Sequence, residues 1–141
     1  MIDVVKIFVY NIMNNTLLTI ILFLVIDFVW LKTSSPMYNK LIKRIQGSEI
    51  KLKYIPAAMS YLLIILGYFL YVEPKMNTVN KKDLLKYSFL YGGVFGLIVY
   101  GIYDFTNLAT IKNWSLFESM IDMLWGGILF TIVTYISNYL K

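Results

Sequence analysis

Three aspartates, Asp27, Asp104 and Asp122, lie in or at the ends of long apolar runs. A charged side chain at mid-membrane costs on the order of 3 kcal/mol on insertion scales, so three of them require a reason. Carboxylates facing the interior of a helical bundle are what proton and cation pathways use. Paired carboxylates can also act as general acid and base, or hold Mg²⁺ through oxygen. Each aspartate has notable company. Trp30 follows Asp27 by one helical turn and Trp125 follows Asp122 by one turn, so an I-D-x-x-W pattern occurs at Ile26–Trp30 and at Ile121–Trp125. An Asp-Phe-x-x-Leu pattern recurs at Asp27 and Asp104. These matches hint at an internal repeat, with chance as the alternative in so biased a composition.

Helical spacing extends the set. Gly96, Tyr100, Tyr103, Asp104 and Asn107 share one stripe, which Ser88 and Gly92 prolong as a small-xxx-small face suited to close helix packing. Glu118, Asp122 and Trp125 share a face of the last apolar run. Two carboxylates at that spacing repel, and burial penalises both charges, so a proton-accepting group near neutral pH is expected there. Candidate ligand- or ion-binding residues are therefore Asp27, Asp104, Asn107, Asp122, Tyr100, Tyr103, Glu118, Trp30 and Trp125. Pro56, Ser60 and Tyr61 add an irregular, hydroxyl-bearing helix start on the same side.

The elements that must position these residues follow from the apolar runs. Of 141 residues, 59% are hydrophobic and 15% charged, against roughly 25% charged in a soluble domain; the mean hydropathy is +0.67. A helix needs about 20 apolar residues to cross the hydrocarbon core. Four runs qualify, at about 15–31, 54–72, 85–103 and 116–139, the first with an apolar extension back through Val4 to Met13. The expected architecture is an all-α membrane protein, one domain over 1–141, with an up-down four-transmembrane-helix bundle. Alternating chain directions place the three aspartates on one side of the bilayer. Between the first two spans, Met37, Leu41, Ile42 and Ile45 recur opposite Lys40, Lys43 and Arg44. That pattern predicts a short amphipathic helix at about 36–46 lying in the interface, started by Ser34-Ser35-Pro36 and ended by Gly47.

Other classes are pruned by what is missing. The chain has no cysteine and no histidine, which removes disulfides, haem and iron–sulfur ligation, cysteine nucleophiles and ordinary zinc sites. No cofactor and no metal is expected. The net charge of +5 comes from basic residues flanking apolar runs, where they meet anionic headgroups rather than nucleic acid. No cleavage site follows the first run, so the first helix is expected to act as its own targeting signal. Lysines and arginines divide almost evenly between the two sides, leaving orientation open, though the dense first connection favours the cytoplasm.

An ordinary structural reading stands beside the functional one. The tryptophans and tyrosines suit an interfacial aromatic belt, and the glycines suit packing. The aspartates could pair with Lys32, Lys53 or Lys112 and merely fix helix register.

The stretch Tyr100-Gly101-Ile102-Tyr103-Asp104-Phe105-Thr106-Asn107-Leu108-Ala109-Thr110-Ile111, followed by Trp114 and Asp122-Met123-Leu124-Trp125-Gly126, resembles the signature of a predicted membrane protein family known as domain of unknown function 2177. Asp27, Trp30, Leu31, Tyr38, Pro56-Ala57-Ala58, Tyr61, Gly67 and Phe95-Gly96 fit the same pattern, so the resemblance covers nearly the whole chain. Phe105 and Ile111 stand where leucines are expected, and Asn113 and Ser115 replace an expected Gly and Pro around Trp114. The resemblance implies four spans and a polar motif ending the third; it implies no activity. Usage rich in Lys, Asn and Ile suits an AT-rich genome, hence a multi-pass protein of a bacterial inner membrane or of a viral or host membrane.

Three functions fit these observations. In the first, the Asp/Asn/Tyr/Trp cluster binds or translocates protons, cations or a small polar ligand; four short helices barely enclose a conduit, so a homo-oligomer is the expected partner beside the lipid bilayer. In the second, the polar motif is glue in a scaffolding protein. In the third, the acids serve an enzyme acting on lipid, although no phosphate-cradling loop or nucleophile elbow supports a named reaction.

Overall fold

An apolar run in lipid must satisfy its own backbone hydrogen bonds, and a helix does so locally. The computed structural model describes residues 15–141, together with the backbone of the first helix back to Ile2. Helix α1 spans Ile2–Gln46, α2 Tyr54–Met76, α3 Lys81–Thr110 and α4 Leu116–Tyr139. All four are long and apolar enough to cross a membrane, and no strand occurs among the described residues. The side chains of the suggested extension Val4 to Met13 lie outside the described residues.

The separate interfacial helix does not exist as such. Helix α1 runs unbroken through Pro36 to Gln46. Helix-breaking residues at 33–36 are absorbed locally: Thr33 Oγ1 donates to the carbonyls of Val29 and Trp30 at 3.0 Å each, and Ser34 Oγ to that of Trp30 at 2.7 Å. These hydroxyls bond back to carbonyls of the preceding turn rather than capping a new helix start. The amphipathic stripe is real, but it faces protein. Leu41 is fully buried, and Arg44 reaches Glu118 of α4 at 4.0 Å. An apolar stripe is satisfied by any apolar surface, and the neighbouring helices supply one. Gly47 ends the helix with φ +76° and its N–H on the Lys43 carbonyl at 3.0 Å, a left-handed terminus that suits glycine.

Helices α3 and α4 make the closest approach, through glycines. A Cβ on Gly96 would stand 2.2 Å from the Gly126 carbonyl oxygen, and one on Gly92 would stand 2.2 Å from Thr134 Oγ1. Ser88, Gly92 and Gly96 therefore form the small face that lets α4 in. Two widened π turns, Tyr68–Val72 in α2 and Ser88–Gly93 in α3, shift the ladders so that Glu73 N–H reaches the Tyr68 carbonyl and Val94 N–H that of Phe89. The core lies at mid-bundle, where Phe23 meets Tyr68 and Phe130 edge-on at 5.2 and 4.8 Å. The first half of α2, Tyr54–Gly67, buries no residue.

The α3–α4 connection carries the only positive φ of a non-glycine among the described residues, Asn113 at +67°. Asparagine tolerates that region better than other side chains, so it can stand where the resemblance expects glycine. Ser115 is extended and starts α4.

Candidate functional site

The up-down order brings the C-terminal part of α1, the start of α2, the end of α3 and the start of α4 to one end of the bundle. Asp27 sits at the meeting point of all four helices. Its Oδ2 accepts Tyr61 Oη of α2 at 2.5 Å; its Oδ1 accepts Trp125 Nε1 of α4 at 2.9 Å and Tyr100 Oη of α3 at 3.4 Å. Two phenols and an indole thus replace water around one carboxylate, which is 5% exposed. Trp30 and Trp125 stack with centroids 4.7 Å apart and planes 11° from parallel. Trp30 Nε1 in turn donates to Asp122 Oδ1 at 3.3 Å. The stacked pair therefore connects Asp27 to Asp122, each indole serving a carboxylate on the other's helix.

A second group lies beyond it. Asp104 neighbours Asp122, Ser119 and Trp114, and Trp114 Nε1 donates to Ser119 Oγ at 2.9 Å. Asp104 is 1% exposed, and its Oδ2 has no hydrogen-bond partner. Tyr38 of α1 lies beside Asp122, and its hydroxyl is also buried without a partner. Among the described residues, the ion pairs are Lys43–Glu49, Arg44–Glu118 and Lys141–Glu73. None involves Asp27, Asp104 or Asp122, so pairing with Lys32, Lys53 or Lys112 does not explain these acids.

The remaining candidates divide. Tyr100 joins the Asp27 group. Glu118 does not join the aspartates: it accepts from the Ser115 hydroxyl and pairs with Arg44. Tyr103 is 57% exposed and meets Trp114 edge-on, and Asn107 is half-buried beside Tyr103. These two border the cluster without entering it. Sequence reasoning left Tyr38, Tyr61, Trp114 and Ser119 out of the candidate set. For Tyr38 a signal existed. Asp27, Trp30, Ser34, Tyr38 and Leu41 recur at helical spacing and are all buried or half-buried, but the stripe is visible only if α1 is carried through Pro36.

The model of a family described as predicted membrane protein, DUF2177, matches residues 12–139. The chain belongs to that family. The match takes in every residue of the aspartate cluster and the whole of α2, α3 and α4. No curated protein and no solved structure matches the chain. The protein is accordingly a multi-pass membrane protein whose family description carries no activity.

Proposed function

We propose that the protein binds a proton on the Asp104–Asp122 pair, reached from one side of the membrane. The observation that carries this reading is the Asp104 carboxylate. It is almost wholly buried, has an oxygen without a hydrogen-bond partner, stands beside a second carboxylate, and is met by no basic group among the described residues. Two adjacent carboxylates in a poorly hydrated site cannot both remain charged without a cation between or upon them. A proton is the smallest cation that answers this. It supplies the missing hydrogen bond as well, since a protonated carboxyl donates where a carboxylate only accepts.

The scaffolding reading has one observation in its favour, and it applies to Asp27. That carboxylate is supplied by donors from three other helices, as befits a residue that fixes their register. The two roles therefore separate along the cluster: Asp27 organises, while the Asp104–Asp122 pair binds.

Infrared spectra of the protein in liposomes test the binding role. The expected result near neutral pH is a protonated-carboxyl band that disappears in Asp104→Asn. A wild-type spectrum without that band, or a band untouched by the substitution, overturns the reading. Proteoliposomes loaded with a pH dye then separate binding from translocation. A proton flux abolished by Asp104→Asn extends the role to transport, and its absence in the wild type confines it to binding.

A further inference from the structure

The opposite end of the bundle holds a feature that the proton-binding reading does not use. A cavity of about 210 Å³ opens where α2 ends, α3 begins and α4 ends. Its lining is divided by chemistry. Met76 and Leu84, each 3% exposed, form an apolar floor, whereas Asn77, Lys81, Asn138 and Lys141 supply amide and ammonium groups. Lys141 is already engaged, donating to Asn138 Oδ1 at 2.8 Å and pairing with Glu73. Lys81 is not. Its only polar contact among the described residues is the Tyr139 carbonyl at 3.4 Å, with the Tyr139 ring 5.5 Å away, and no carboxylate pairs with it. A second opening beside it, lined by Asn80, Lys81, Lys82 and Asp83, shares the same lysine. Among the described residues, this end of the bundle carries Lys75, Lys81, Lys82, Lys86 and Lys141 against Glu73 and Asp83, so their summed charge is positive where headgroups lie.

We infer that this cavity is a binding site for an anionic glycerophospholipid, with the headgroup phosphate on Lys81 and the Asn77 amide and the first methylenes of the acyl chains on Met76 and Leu84. A generic basic collar attracts anionic lipid without holding any one molecule. Here an ammonium with no carboxylate partner among the described residues stands at the rim of a bounded space with an apolar floor, the two-part chemistry that a phospholipid presents at the same depth. The inference stands apart from the aspartate pair and survives if that pair binds nothing.

Native mass spectrometry of the full chain, released from detergent with added phosphatidylglycerol, phosphatidylcholine or inorganic phosphate, tests it. The expected result is preferential retention of phosphatidylglycerol, weakened about fivefold in Lys81→Gln, the effect of one headgroup-contacting cation. Asn77→Trp, which fills the cavity from an exposed loop position and leaves every charge in place, should weaken retention too. Lys40→Gln, an exposed lysine at the other end of the bundle, should leave retention unchanged. Equal retention of phosphatidylcholine, or retention by Lys81→Gln and Asn77→Trp at the wild-type level, overturns the site. Displacement of phosphatidylglycerol by inorganic phosphate assigns the cavity to the free anion and overturns the lipid.

Discussion

At the end of the bundle that holds Asp27, Asp104 and Asp122, buried acids are met by neutral donors, indoles and phenols. At the other end, Glu73 is met by a cation, Lys141, and accepts Tyr68 Oη at 3.3 Å as well. Both ends also bury polar atoms without partners, but of different kinds. Near the Glu73 end these are the Ser88 and Thr134 hydroxyls; at the aspartate end they are the Tyr38 hydroxyl and an oxygen of Asp104. An unpaired neutral hydroxyl costs about 1–3 kcal/mol, and a charged group more. The buried acid at one end is thus met by a cation within the protein, whereas the acid pair at the other is left for something else to balance. Between them lies the aromatic layer of Phe23, Tyr68 and Phe130, which keeps the two polar regions separate.

The sharpest way to break that contrast is to remove the acceptor on which the helices converge. Asp27→Ala leaves Tyr61, Tyr100 and Trp125 without their acceptor, and each stranded donor carries its own penalty. The expected loss is roughly 4 kcal/mol, read as a lower midpoint of thermal or detergent unfolding, with Asp27→Asn recovering a large part of it. An Asp27→Ala protein as stable as wild type would mean that the tyrosine and tryptophan bonds organise nothing. Next in size is Gly96→Leu. Since even a Cβ there would stand 2.2 Å from the Gly126 carbonyl, α3 and α4 must separate, at a cost of about 3 kcal/mol. That change should loosen both ends together, whereas Asp27→Ala should act first on its own end; hydrogen exchange along α2 distinguishes them.

Much of the fold is legible in the sequence, because each span is a long apolar run and lipid leaves such a run few alternatives. The glycine face of α3 is legible for a similar reason: only small residues permit the approach, and they recur at helical spacing. What was not legible is instructive. Ser34-Ser35-Pro36 reads as a helix start, since proline lacks a donor and serines cap; the structure instead spends the hydroxyls on the preceding turn and carries α1 onward. Local chemistry favoured a break, and tertiary packing of Leu41 with the Arg44–Glu118 contact favoured continuity. Losing that continuity hid Tyr38. Glu118 was misplaced by the opposite error. Its spacing from Asp122 is right for a shared face, but one-dimensional spacing gives no sight of Arg44, which arrives from another helix. The pairing of Trp30 with Asp122 and Trp125 with Asp27 is likewise invisible to a repeat read along the chain, because each indole crosses to the other motif.

A smaller effect, of opposite sign, sharpens the comparison. Asp104→Asn replaces a buried carboxyl group that has no basic partner among the described residues by a neutral amide of the same shape. Above the pH at which the bound proton leaves, where both carboxylates of the wild type are charged, the substitution should stabilise by about 2 kcal/mol; the unfolding midpoint at that pH and the loss of the infrared band near neutral pH are read on the same samples. A destabilised Asp104→Asn would place Asp104 with Asp27 as a register-fixing group.

The smallest expected effect belongs to the end where the acid has a cation partner, and its sign is what matters. Glu73→Gln removes a charge that has a partner, so it should destabilise by about 1 kcal/mol. The Lys141 and Glu73 side chains are 26% and 19% exposed, enough for water to moderate the loss, and a glutamine still offers Tyr68 an acceptor. Above the pH at which the bound proton leaves, neutralising an acid should therefore raise the unfolding midpoint at position 104 and lower it at position 73. The exchange Glu73→Lys with Lys141→Glu should restore most of the loss if the partnership itself, rather than the place of either charge, is what stabilises this end. Two neutralisations moving the midpoint in the same direction would mean that the ends do not differ in how they balance charge, and the case for a cation held at Asp104 would fall with the contrast.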